Sequence, residues 1–172
     1  SMSLRRSKGF TLVELMVTVA VLAVLSTIAY PSFQSTIRSN RVATGGNEAL
    51  ALIALARSEG VRNKHGGGVC GSSTGSSCDD AWSKGMLAWS DTNGDGIYQS
   101  GEPALRFMAV SSGLVGSGPD GAPIAFDNRG RLRANATQTV TLQPTECGKV
   151  ALRRVMKINV AGQVTSQKED CK

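Results

Sequence analysis

Histidine is almost missing from this chain: His65 is the only one among 172 residues. It stands beside Lys64 in a glycine-rich stretch, where a solvated loop position is expected rather than a catalytic base. With no second imidazole, neither a Ser-His-Asp nor a Cys-His arrangement can be assembled. No enzyme is expected. The four cysteines, Cys70, Cys78, Cys147 and Cys171, show no C-x-x-C spacing, which together with the single histidine argues against a zinc site. Aromatic residues make up 5% of the chain, too few to interleave with basic residues as a base-stacking surface. Charge is absent where apolar residues concentrate. From Phe10 to Tyr30 the sequence FTLVELMVTVAVLAVLSTIAY holds one charged residue, Glu14.

As a helix, those 21 residues reach about 32 Å, roughly the hydrocarbon core of a bilayer. They are long for the apolar region of a secretory signal, and no A-x-A cleavage site closes them. A membrane-anchoring helix is the better assignment. Arg5, Arg6 and Lys8 precede it, so the positive-inside rule keeps the N-terminus cytoplasmic and exports the rest. All four cysteines then lie in an oxidising compartment, where disulfides form. Three connectivities are open; Cys70–Cys78 and Cys147–Cys171 are favoured because short loops are the least unfavourable to close. Glu14 is the anomaly. A carboxylate in an apolar helix is a functional candidate that needs a partner, although so near the end it can also snorkel to the interface.

Lys8-Gly9-Phe10-Thr11-Leu12-Val13-Glu14 resembles the class III signal of type IV pilins and of type II secretion pseudopilins. The resemblance implies cleavage by prepilin peptidase between Gly9 and Phe10 and methylation of the new Phe10 amine. It also implies that Glu14 pairs with a Phe10 amine during assembly. The pairing has a physical basis, since a buried carboxylate and a buried ammonium are each costly alone. Pro31 matches the family too, where it kinks or softens the helix as it leaves the membrane.

Beyond Pro31, Phe33, Ile37, Val42, Ala49, Leu52, Ile53 and Ala56 approximate a helical stripe. Arg38, Arg41, Glu48, Arg57 and Glu59 are expected to face solvent. Gly45-Gly46 is a candidate break, and Gly60 with Gly66-Gly67-Gly68 is expected to end the helix. Short strand-like segments follow at Lys84–Ser90, Ala104–Val110, Ile124–Phe126, Gln138–Gln143 and Leu152–Val160. The expected organisation is a leader at 1–9, a transmembrane and assembly helix at 10–30, its amphipathic continuation at 31–64 and a β-rich globular domain at 65–172. That is an α+β, pilin-like fold, a long N-terminal helix packed on an antiparallel sheet.

ALIALARSEGVR, VCGSSTGSSC, KGMLAWSDTNGDGIYQSGE and IAFDNRGRL, in that order, resemble the GspH/FimT branch of minor pilins. The branch includes minor pilins of type IV pili, a minor pseudopilin of type II secretion and members that bind DNA for natural transformation. The implied partners are other pilins or pseudopilins, prepilin peptidase, the inner membrane and, for the DNA-binding members, double-stranded DNA. The implied location is the bacterial inner membrane, single-pass with a periplasmic domain, then the pilus or pseudopilus.

Charge is unevenly distributed. The formal net charge is +6, and loss of the leader leaves 16 basic against 13 acidic side chains. Arg129, Arg131, Arg133, Lys149, Arg153, Arg154 and Lys157 face one acid, Glu146, between positions 129 and 157, the footprint of a polyanion-binding face. If RGRLR is extended, Arg129, Arg131 and Arg133 share one side and can meet successive phosphates. A solvated strand edge is the alternative. DNA-binding members carry G-R-x-R near the C-terminus; here Gly162-Gln163-Val164-Thr165 stands there, and Gly130-Arg131-Leu132-Arg133 has the spelling earlier in the chain. Gly116-Ser117-Gly118-Pro119-Asp120-Gly121 spells G-x-G-x-x-G without a convincing strand before it or helix after it, and is expected to be a loop.

Asp91–Glu102, DTNGDGIYQSGE, fits the calcium-loop pattern with Asp91, Asn93, Asp95 and Glu102 as oxygen ligands and Gly96 at the sharp turn. It falls between two strands and has no helices to make an EF-hand. A hairpin connection built on Asx turns is the competing assignment. No cofactor other than this calcium ion is expected.

Overall fold

The segments on either side of Pro31 form one uninterrupted helix, α1, Leu12–Asn63. This computed structural model describes residues 9–172; Arg5, Arg6 and Lys8 of the leader lie outside the described residues. Neither Pro31 nor Gly45-Gly46 ends the helix. The chain divides into two units, the first running to Ile37 and the second spanning Arg38–Lys172.

In the first unit the helix exposes its apolar side chains in every direction, among them Leu12, Val13, Met16, Leu22, Leu25 and Ile28. A helix apolar all round is one that lipid or other helices surround. Its most apolar window has a mean hydropathy of 2.3.

In the second unit α1 turns amphipathic and lies on eight strands: β1 Gly66–Gly71, β2 Gly85–Ser90, β3 Ala104–Ala109, β4 Leu114–Ser117, β5 Ile124–Asp127, β6 Gln138–Pro144, β7 Arg153–Ile158 and β8 Val164–Glu169. They form two four-stranded sheets, ordered β3-β2-β1-β5 and β4-β6-β7-β8, in which every pairing is antiparallel. Ala49, Leu52, Ile53 and Ala56 of α1 meet Val69, Met86 and Phe126 of the first sheet and Leu142, Met156 and Ile158 of the second in a single core. Both disulfides are in this unit, joining Cys70 to Cys78 and Cys147 to Cys171, the two short-loop pairs.

The expected strands fall where β2, β3, β5, β6 and β7 lie, and three further strands join them. β1 is the largest correction. Gly66-Gly67-Gly68 begins an inner strand rather than a helix-ending loop. A Cβ at Gly67 would overlap the Ala56 carbonyl of α1, and one at Gly68 would overlap the Trp89 ring on the opposite face. Helix and indole both approach the bare backbone. Gly60 also sits within α1 for close approach, 3.0 Å from its would-be Cβ to the Asp127 carbonyl. The stop comes instead at Asn63, whose Oδ1 accepts the His65 and Gly66 N–H groups at 2.7 and 3.0 Å, with Lys64 at φ 64°. Gly45 and Gly46 serve the same purpose further down the helix. Their would-be Cβ atoms meet Leu114 at 3.0 Å and Arg154 at 3.2 Å.

Two further expectations change. Glu59 is buried, holding Arg62 through two bonds of 2.8 and 2.7 Å and accepting Ser90 Oγ at 2.9 Å. Within the G-x-G-x-x-G stretch, Gly116 and Ser117 belong to β4, and Gly116 and Gly118 make room for the Trp82 backbone and ring. Gly116 and Gly118 are packing positions against Trp82.

Candidate functional site

The N-terminal candidates sit where the helix begins. Gly9 and Phe10 precede α1, and Thr11 caps it, its Oγ1 accepting the Glu14 N–H at 3.2 Å. Glu14 lies in the first turn, where the helix macrodipole favours negative charge. The hydroxyls along the apolar stretch are satisfied locally. Thr18, Ser26 and Thr27 donate to the carbonyls of Leu15, Leu22 and Val24 at 2.8, 2.7 and 2.7 Å. Among the described residues of this stretch, the Glu14 carboxylate is the charged group left for an external partner.

RGRLR is not an extended row. β5 turns at Asp127, whose N–H donates to the Arg131 carbonyl at 2.8 Å while the Gly130 N–H donates to the Asp127 carbonyl at 3.0 Å. Gly130 takes φ 74°, the left-handed residue of a tight hairpin with a bulge. Asp127 Oδ1 accepts the N–H groups of Arg129 and Arg131 at 2.8 and 2.9 Å. The chain then returns, with Leu132 bridged to Phe126. The positive φ in the middle breaks the alternation that would have aligned three guanidiniums.

The basic residues therefore separate by task. Arg133 donates to the His65 carbonyl at 2.9 Å and pairs with the buried Asp91 at 3.4 Å. Arg153 pairs with Glu169 at 3.4 Å. Arg154 lies against Gly46 of α1 and donates to Ser166 Oγ at 3.2 Å. Arg129, Arg131 and Lys157 remain exposed. The hairpin that carries Arg129 and Arg131 abuts the β7–β8 turn. Arg57, expected to face solvent, donates from Nε to the Gly130 carbonyl at 2.8 Å, and Gly162 (φ 82°) packs on that carbonyl so closely that a Cβ would overlap it. The Leu132 N–H reaches the Val160 carbonyl at 3.0 Å. The arginine-bearing GRLR segment is thus next to the arginine-free GQVT segment. Sequence spacing gave no sign of that neighbourhood.

Asp91–Glu102 is a connection between β2 and β3 held by its own carboxylates. Asp91, fully buried, accepts the N–H groups of Gly94 at 2.7 Å, Asp95 at 3.2 Å and Gly96 at 2.8 Å. Glu102 accepts those of Thr92 at 2.8 Å and Gln99 at 3.1 Å. Asp95 is held below the usual carboxylate range, first by the Ile97 N–H and then by the Gln99 amide. Asp79, in the Cys70–Cys78 loop, is lowered as well, first by the Ser73 hydroxyl. These oxygens accept from N–H donors and, at Asp91, from a guanidinium. Among the described residues no group of three or more His, Cys, Asp or Glu is placed to hold a metal ion.

Comparison with known proteins adds two kinds of likeness. The prokaryotic N-terminal methylation motif matches residues 4–30, and the family described as type II transport protein GspH matches residues 46–162. Two crystal forms of the Pseudomonas aeruginosa type IV minor pilin FimU share the fold. They are 21% identical to this chain at TM-scores of 0.55 and 0.53, covering 74% and 72% of it and 89% and 90% of their own length.

Proposed function

The chain belongs to the GspH family of minor pilins and pseudopilins, and we propose that it is a minor pilin built into, or priming, a type IV pilus. It is processed after Gly9, methylated at Phe10 and stored in the inner membrane with its second unit in the periplasm. It then enters the fibre helix-first. The observation that carries this reading is the helix up to Ile28, apolar on every side and exposed, with the Glu14 carboxylate as its charged group. Lateral packing against like helices buries that surface, and a Phe10 ammonium offered to Glu14 fixes the axial register. Breaking a buried charge pair by removing one partner costs about 3–5 kcal/mol. Glu14→Gln is therefore expected to leave membrane insertion intact and to lower the sheared-filament fraction at least tenfold by immunoblot, to about a tenth or less. Normal incorporation of that variant would refute the pairing. Deletion of the gene is expected to abolish twitching and leave protein secretion unchanged. Loss of secretion with intact twitching would instead assign the chain to a type II secretion pseudopilus.

A second reading, contact with double-stranded DNA during uptake, is supported by the exposed Arg129 and Arg131 beside the β7–β8 turn. With Arg133, Arg153 and Arg154 engaged internally, two phosphate contacts are expected, for a salt slope of about −1.8. Arg129→Ala/Arg131→Ala should abolish retardation of duplex DNA at low salt. Unchanged retardation in that variant rules this surface out.

A further inference from the structure

The outer face of the first sheet, turned away from α1, carries a cleft distinct from the Arg129–Arg131 hairpin. Cys70, Leu87 and Trp89 form a small core there beneath Tyr98. Beside it, three loops border an open cleft of about 360 Å³, within the ordinary range for a small-ligand site. The Cys70–Cys78 disulfide borders it, and Ser76, Ser77, Asp80, Tyr98 and Ser100 supply its polar lining.

Each wall is fixed by its own lock. The 70–80 loop is closed by the disulfide and by Asp79, which accepts the N–H of Ser73 at 3.1 Å and that of Ala81 at 3.1 Å. The 91–102 loop is tied by Asp91 and Glu102, so its calcium-like pattern has a use: it presents Tyr98 and Ser100. The Tyr98 ring leans on the buried Trp89 at 5.7 Å and 57°. The third wall, 121–123, is held by Asp80 Oδ2, which accepts the Gly121 N–H at 3.0 Å, and by the Trp82 indole, which donates to the Pro119 carbonyl at 3.3 Å. Asp80 does this from the left-handed region, φ 59°, an uncommon conformation outside glycine that gathers at functional positions. Asp80 also contributes to the lining of the cleft.

The lining selects the ligand. No Lys, Arg or His lines the cleft, so a phosphate or other anion has no countercharge there. Hydroxyls that both donate and accept stand on two walls, Ser76 and Ser77 on one and Tyr98 and Ser100 on the other, with one carboxylate acceptor and one aromatic ring. A bound peptide backbone would call for a free strand edge, whereas β1 beneath the cleft is an inner strand. Hydroxyls in several directions around an apolar ring match a polyhydroxylated ring. We propose that this cleft binds a neutral oligosaccharide, with Tyr98 as the stacking platform and Asp80 as the charged acceptor for sugar hydroxyls.

The test uses the full-length chain in a zwitterionic detergent without a sugar headgroup. Tryptophan fluorescence, sensitive to Trp89 under Tyr98, is followed during titration with tri-N-acetylchitotriose, cellotriose and maltotriose, and with triglycine as a peptide control. Saturable binding of at least one trisaccharide in the millimolar range or tighter is expected. Asp80→Asn, which keeps one side-chain oxygen acceptor but removes the charge and tolerates the left-handed backbone, should weaken it roughly tenfold, equivalent to about 1.4 kcal/mol. Tyr98→Ala should weaken it similarly, and Tyr98→Phe should retain it. Gln167→Ala, exposed on β8 of the second sheet, should bind as the parent does. Failure of all three trisaccharides to bind at 10 mM (about the weakest affinity that titration resolves), or binding indifferent to both Asp80→Asn and Tyr98→Ala, overturns the proposal. So does preferential binding of triglycine.

Discussion

Gly162→Ala probes the junction where helix, hairpin and β7–β8 turn meet. Gly162 has φ 82°, and its would-be Cβ overlaps the Gly130 carbonyl and stands 2.9 Å from Arg57 Nε. The left-handed backbone costs an alanine about 1–2 kcal/mol. The methyl also pushes on the carbonyl that Arg57 holds at 2.8 Å, and a hydrogen bond to a charged group is worth about 1.5–3 kcal/mol. Arg57 is only partly buried, so the lower end applies, and the sum is about 3 kcal/mol. For a domain of this size, about 4 °C of melting temperature accompanies each kcal/mol. A fall of about 12 °C is expected in circular dichroism melts of the full-length chain.

Two controls separate the terms. Gly121 has φ 69° with nothing within 4 Å of its would-be Cβ, so Gly121→Ala tests the backbone term alone and should lower the midpoint by about 4–8 °C. Gly101 has open space and no positive φ, and Gly101→Ala should stay within about 0.5 kcal/mol of the parent. Arg57→Ala closes the cycle. If the methyl acts by displacing the Arg57–Gly130 bond, Arg57→Ala and Gly162→Ala are less than additive by about 1 kcal/mol. A Gly162→Ala melt no lower than that of Gly121→Ala would refute the close approach, and full additivity would refute the route through Arg57.

Acid and calcium give two more tests. Asp95 and Asp79 have folded pKa values below their unfolded value, about 3.9. They therefore contribute stability above about pH 4, and that contribution is lost as pH falls through the lower folded values. The midpoint drop between pH 5 and pH 3 should be smaller in Asp95→Asn than in the parent; an equal drop would show that Asp95 does not take part. Calcium at 5 mM should leave the midpoint unchanged, because the Asp91 and Glu102 oxygens already accept N–H groups. A site with a dissociation constant of about 0.05 mM would add about 2.7 kcal/mol at that concentration, roughly 10 °C. A rise of that size would mean that the carboxylates turn outward to take the ion.

Where local pattern and tertiary environment agreed, the fold was readable. β2, β6 and β7 place β-branched, aromatic or long apolar side chains on buried faces, and both signals pointed the same way. β1 could not be found that way, because GGGVCG has almost no side chains with which to announce a strand. Its place is set by what approaches it, Ala56 from one side and Trp89 from the other. β8, VTSQKE, is an edge strand paired only with β7, and its exposed polar residues follow from that position. Glu59 was misplaced for a related reason. Its helical position was read correctly, and Arg62 is an i,i+3 neighbour on the same helix, but its partner Ser90 is visible only once β2 docks under the end of α1. RGRLR failed on a single residue. Gly130 can take positive φ, and the hairpin uses that freedom, so a period of two read across it had no physical support.

The three functional proposals concern different parts of the chain, and that separation makes them independently refutable. Glu14 lies in the first unit, while Arg129, Arg131, Asp80 and Tyr98 lie in the second. Within the second unit, the hairpin is fixed by Arg57 and Gly162, and the cleft by the Cys70–Cys78 disulfide and the Asp91–Glu102 connection. A substitution that melts the second unit, as Gly162→Ala is expected to do at moderate temperature, would reduce DNA and saccharide binding together and reveal neither site. Arg129→Ala/Arg131→Ala leaves the Arg57–Gly130 bond in place, and Asp80→Asn leaves the disulfide and the Asp91–Glu102 connection in place while keeping a side-chain oxygen that can accept the Gly121 N–H. Loss of one binding activity with the other intact, at an unchanged melting temperature, therefore reports the site itself. If both activities fell in both variants, the two surfaces would have to be coupled through the first sheet and would not be independent.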